Sequence, residues 1–249
     1  MGRNIRTFTL TLDILRSNLD EILIMGQEKG ISFSKYISGK IERHADGLNQ
    51  DILIQNLEAA EKEVNVELIS LVFKWLLEMN SQEEDFEFLK KYGFDLVSEI
   101  DEKDQGYIYI SEMYDYVEMN GLKEVVQNYD SFKLYPSETF CNYLDYLILL
   151  LSKICLDKEY KNNMDYDQEE ELFFKNCQSN EVLDAQTELA LKVIRLENQA
   201  VDEEDPDNLY WRSESTSHYV VSQWLFYRMK KLRQLLHDYN GLIFIVDDH

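Results

Sequence analysis

Two prolines and nine glycines are all the backbone punctuation in 249 residues. That scarcity constrains the fold more than any other feature of the sequence. Proline breaks helices and central strands, and glycine supplies the turn conformations that a succession of short strands requires. A chain with so few of either, and rich in Leu, Ile, Glu and Lys, predicts long helices rather than a sandwich of short strands. Hydrophobic residues make up 45% and aromatics 12%, enough to fill a core and to exclude wholesale disorder. The expected fold class is mainly α, a helical bundle-like body with a few short β-strands at the N-terminus, near 106–110 and at the C-terminus.

Periodicity places the elements. Ile5, Phe8, Leu10 and Leu12 alternate with Arg6, Thr7, Thr9 and Thr11, which predicts a half-buried strand from Thr7 onward. Helical spacing takes over at Ile14, Leu15, Leu19, Ile22 and Leu23 and stops at Gly30, after which Ser32 or Ser34 caps a second helix. A long helix is expected over about 51–79, with others near 84–99, 110–128, 137–157, 168–177, 180–200 and 214–238. Asn240-Gly241 is a turn dipeptide, and the five apolar residues Leu242–Val246 after it read as a buried strand. The most apolar run, Leu144 to Leu156, contains Asp145, Ser152 and Lys153. It is too short to span a bilayer and reads as a buried central helix, so no membrane partner is expected.

Charge is the second constraint. Forty-eight Asp and Glu against twenty-five Lys and Arg give a net −23, a field that repels nucleic acid and anionic membranes and attracts basic surfaces. It is unevenly spread. Residues 1–46 carry seven basic and six acidic groups, a net +1, and the remaining 203 carry 18 and 42, a net −24. The shift predicts two regions, 1–46 and an acidic helical domain over 47–249, divided near the turn signal Asp46-Gly47. Three cysteines without metal or redox spacing, and no apolar N-terminal segment, point to free thiols in a reducing cytoplasm.

Within residues 5–45, one alternating strand, one helix and then Gly30-Ile31-Ser32-Phe33-Ser34 opening a second helix resemble the ribbon-helix-helix family of DNA-binding proteins. The resemblance implies a homodimer whose paired strands enter the major groove. Arg6, Thr7, Thr9 and Thr11 would then face DNA, and Phe8, Leu10 and Leu12 the dimer core. Three threonines read bases weakly, and a body of net −24 opposes phosphate. The structural reading of the same segment is that its strand pairs with Leu242–Val246 inside a single fold.

Catalytic and cofactor motifs are sparse. Asp101 through Glu112 resembles an EF-hand loop, with Gly106 and Ile108 at the turn and hydrophobic positions, but Lys103 occupies a ligand position. Glu214 and His218, four apart, have no second pair to complete a metal site. Arg233 and His237 share a helix face, where cations near a helix C-terminus are ordinary. No phosphate loop or nucleophile motif is present. The expectation is a non-enzymatic protein without a cofactor.

The acids themselves gather beside aromatics. Glu83, Glu84 and Asp85 precede Phe86 and Phe88. Asp165, Asp167, Glu169, Glu170 and Glu171 surround Tyr166 and precede Phe173 and Phe174. Asp202, Glu203, Glu204, Asp205 and Asp207 lead into Tyr210 and Trp211. Charge coupled to aromatic anchors is what an interface with a basic protein uses. The functional expectation is an acidic protein that covers the basic surface of a nucleic-acid-handling partner, as an inhibitor, immunity protein, antitoxin or anti-defence protein does. The alternative is a ribbon-helix-helix-like regulator with an acidic partner-binding domain, touching DNA only through residues 1–46.

Overall fold

A computed structural model describes residues 4–28, 66–80, 86–101, 127–129, 131–156, 185, 187–193 and 218–248. The chain forms two compact units. One comprises Met1–Glu99, Leu122–Pro136 and Asn240–His249, the other Ile100–Gly121 and Ser137–Tyr239.

The first unit is built on a sheet of five strands: β1 (Asn4–Leu10), β2 (Phe94–Asp101), β3 (Gln127–Tyr129), β4 (Phe132–Pro136) and β5 (Leu242–Asp248), in the order β2-β1-β5-β4-β3. The pairs β1–β5, β4–β5 and β3–β4 are antiparallel. On the far side of β1, the Thr11 amide donates to Gly93 O at 2.9 Å and the Thr9 hydroxyl to Asp95 O at 3.5 Å. Those partners descend along one strand as they ascend along the other, so β2 is antiparallel too. Phe8 sits opposite Phe244 and Phe244 opposite Leu134, which carries one row of apolar side chains across three strands.

Helices cover that row. After β1 come α1 (Leu12–Ser17) and α2 (Leu19–Glu28), and then α3 (Val66–Met79). In α3, Leu68, Ile69, Leu71, Val72, Phe73, Trp75 and Leu76 are all buried, so the helix is apolar around most of its circumference and lies inside the unit. Its Ser70 hydroxyl returns to Glu67 O at 2.7 Å, and the Trp75 indole N–H donates to Ile22 O at 3.2 Å, tying α3 to α2. These two buried donors are thereby satisfied by backbone carbonyls. Phe73 is ringed by aromatics: Phe8, Phe94 and Phe244 at 5.2 Å each and Phe132 at 6.1 Å.

In the second unit, α5 (Ser137–Leu156) pairs with α6 (His218–Leu235). Cys141 lies against Leu236 O and Asp145 against Arg233, so the two helices run antiparallel. Leu144, Leu147, Ile148 and Leu151 from α5 are buried, as are Leu225, Phe226, Met229 and Leu232 from α6, at the three- and four-residue steps of a shared apolar stripe. The Ser152 hydroxyl is absorbed by Leu149 O at 2.7 Å. No helix among the described residues is long and apolar enough to cross a membrane.

The mainly α expectation is corrected. The described residues are 64% helix and 23% strand and carry an antiparallel sheet, which makes the class mixed α/β. The expected helix near 84–99 is where the reading fails most clearly. It is a single turn, α4 (Glu87–Lys90), followed by β2. Gly93 accounts for the switch: its φ of +90° is a conformation side chains disfavour, and a Cβ there would meet Thr11 O at 2.5 Å. Beyond it Phe94, Leu96 and Ile100 keep a period of two. The expected helix over 110–128 meets β3 at its end, and β4 was not expected at all. The long helix proposed from 51 is described only from Val66, and the strand proposed at 106–110, the helix at 168–177 and the charge boundary near Gly47 lie outside the described residues. Gly93→Ala is expected to cost at least about 1–3 kcal/mol through backbone conformation alone. Chemical denaturation of the full chain measures it, and a loss under half of that would show the turn can relax.

Candidate functional site

Of the three acid–aromatic clusters, one has its aromatic side described. Phe86 immediately precedes α4 and Phe88 lies within it, shortly after Glu83, Glu84 and Asp85 in sequence. The half-buried Phe86 ring meets Phe8 edge-on at 5.9 Å, with the Arg6 guanidinium 4.7 Å above it. Phe88 stands edge-on to Tyr92 at 5.2 Å. Both rings are therefore committed to the body of the first unit. They anchor the chain that carries the acids and are not loose contacts for a partner.

Around this margin every described cation has a carboxylate. Arg6 Nε lies 3.0 Å from Glu99 Oε1 and Lys90 Nζ 3.2 Å from Asp95 Oδ2. Lys91 bonds Glu21, which also accepts from the Tyr92 hydroxyl at 3.0 Å. The Lys91 ammonium, and after it the Tyr92 hydroxyl, hold the Glu21 carboxyl below the usual glutamate range, while its bond to Glu21 raises the Lys91 ammonium. Burial, then the bond to Glu21, pushes the Tyr92 phenol up. A carboxyl whose folded pKa is depressed supports the fold above its unfolded pKa and loses that support as pH falls through the folded one. An NMR titration should find Glu21 with a midpoint below ordinary glutamates, and Lys91→Met should return it toward them. An unchanged midpoint in that variant would refute the assignment.

The same self-neutralisation runs through the described residues. Arg16 pairs with Asp13, Lys133 with Asp247, Lys230 with Glu188, and Arg233 bidentately with Asp145 at 2.9 and 3.3 Å. The described residues hold twelve Lys and Arg and sixteen Asp and Glu, a net −4; the rest of the sequence holds thirteen and thirty-two, a net −19. All thirteen acids of the three clusters lie outside the described residues.

The residues expected to read DNA do not assemble. Thr7 is 1% exposed, and its buried hydroxyl has no hydrogen-bond partner among the described residues. Thr9 bonds Asp95 O, and only Thr11 is well exposed. Arg6 is held by Glu99 and Phe86. Both edges of β1 are taken, by β2 and β5, so neither is open for an intermolecular ribbon. The observed pairing is the one that sequence reading set against the ribbon, with the last strand of the same chain. Asp101 ends a strand, whereas an EF-hand loop leaves a helix; Glu112 lies outside the described residues, as do Asp165, Asp167, Glu169, Glu170, Glu171, Asp202, Glu203, Glu204, Asp205, Asp207 and Trp211.

The second unit offers little chemistry. Arg233 is engaged by Asp145, and exposed His237 Nδ1 contacts Asp238 at 2.7 Å. Burial pushes the Cys141 thiol up, which disfavours the nucleophilic thiolate. Cys141 is a free thiol. Among the described residues no group of acid, histidine and cysteine side chains could hold a metal ion.

Fold and site together define a mixed α/β protein with an internally charge-paired scaffold. Comparison with protein-family models, curated proteins and solved structures gives no match.

Proposed function

We propose that this chain is an acidic, non-enzymatic binding protein that covers the basic surface of a nucleic-acid-handling partner. The observation that carries the reading is in the sequence: a net charge of −23, with thirteen acids gathered in three runs beside aromatic residues. Thirteen acids gathered in three runs beside aromatics repel one another at a cost to compactness, and a cationic counterpart offsets that cost. The mechanism is occlusion. Carboxylates steer association, and the partner loses access to phosphate.

The test compares the full chain with a variant in which the thirteen acids, from Glu83 to Asp207, become Gln or Asn. Each is added to a basic DNA-binding protein recovered on the full chain from its native host and loaded with a labelled duplex. The full chain should release the duplex, and the neutralised variant should need at least tenfold more protein at an unchanged melting temperature. Equal potency would defeat the proposal.

A further inference from the structure

The strand β5 poses a problem of register. Ile243, Phe244, Ile245 and Val246 are all buried, so both faces of the strand are apolar and alternation does not say which face goes where. A slip of one residue would turn every side chain of the strand to the other face, and an aliphatic run gives little resistance. Yet β5 is the centre of the sheet, and its register sets both β1 and β4.

Asp247 breaks the symmetry. It is 3% exposed, and its carboxylate lies 3.7 Å from the ammonium of Lys133, itself 5% exposed, on the adjacent β4. Both side chains project from the face opposite Phe132, Leu134, Phe244 and Val246, the residues of the aromatic core. We propose that the Lys133–Asp247 pair is the register key of β5, selecting one alignment out of several that the apolar residues accept. A shift in one direction brings Val246 to the buried ammonium; a shift in the other brings the residue after Asp247 there and moves Asp247 itself into the slot of Val246, inside the aromatic core. The first parts the buried ammonium from the Asp247 carboxylate and the second buries that carboxylate among apolar rings, and either is far more costly than exchanging one apolar side chain for another. The 3.7 Å separation is longer than a direct hydrogen bond, so the pair acts as a selector through charge and burial and not through bond strength. A polar group fixing register inside an apolar seam is the best-attested use of such groups.

One competing determinant must be removed to test this: Phe244, whose ring stacks on Phe132 at 5.5 Å and also prefers its own face. Phe244→Ile makes the strand uniformly aliphatic. In the full chain carrying only that change, cross-strand nuclear Overhauser contacts should still join residue 134 to residue 244. With Asp247→Val added, Asp248 becomes the available acid and the contacts should move to 134 and 245. Unmoved contacts in the double variant, or contacts already mixed in the single one, would overturn the proposal. Should the double variant not fold, the exchange Lys133→Asp with Asp247→Lys decides. The key requires the exchanged pair to recover at least half of the melting temperature lost by either single change, and no recovery would overturn it.

Discussion

Phe73→Ala is expected to remove about 3–5 kcal/mol from the stability of the first unit, a large share of what holds a typical domain together. The ring touches Phe8 on β1, Phe94 on β2, Phe132 on β4 and Phe244 on β5. It is where α3 keys into the sheet. Alanine leaves a void bounded by rings from four strands that cannot all move inward together, so the cavity persists and adds to the lost transfer energy. Phe73→Leu keeps most of the volume and should cost less than about 1.5 kcal/mol. Urea titration followed by far-ultraviolet circular dichroism separates the two. An alanine variant within about 1 kcal/mol of the parent would show that α3 is not seated on the sheet as described.

The second large effect belongs to the buried ion pair. Lys133→Met alone removes the ammonium beside the buried Asp247 carboxylate, and Asp247→Leu alone removes the carboxylate beside the buried ammonium, so each should cost about 3–5 kcal/mol. Changed together they should cost close to nothing or be stabilising, because removing both desolvated charges removes the penalty with the attraction. A double-mutant cycle reads the coupling directly. Additive losses would mean that the two side chains do not depend on each other. The exposed Arg16–Asp13 pair, with Asp13 90% exposed, is the contrast: its removal should stay below about 1 kcal/mol.

These two sites differ in how far the sequence announces them. Alternation in Asn4–Leu10 and the apolar run after Asn240-Gly241 mark β1 and β5, and the three- and four-residue spacing from Leu144 marks α5. Local periodicity is enough where an element buries one repeating face. It failed at β2, where Glu87–Lys90 continues a helical pattern that Gly93 cuts short, and at β4, where five residues give alternation too little length to register. Lys133 would pass for a solvent-facing residue of such a strand. Only tertiary pairing with Asp247, far away in sequence, places it inside. The same holds for Asp145 and Arg233, 88 positions apart. Charge surplus, by contrast, is legible from composition.

The central claim is that the surplus carboxylates exist to meet a basic counterpart, and the salt dependence of binding tests it most directly. The affinity of the full chain for the host protein it recovers should be measured by calorimetry from about 0.05 to 0.5 M salt, where the screening length shrinks severalfold. The account predicts at least a tenfold loss of affinity across that range, and a much flatter line for the variant with the thirteen acids neutralised. Affinity that holds level with salt in the parent, or falls equally steeply in both proteins, would contradict it.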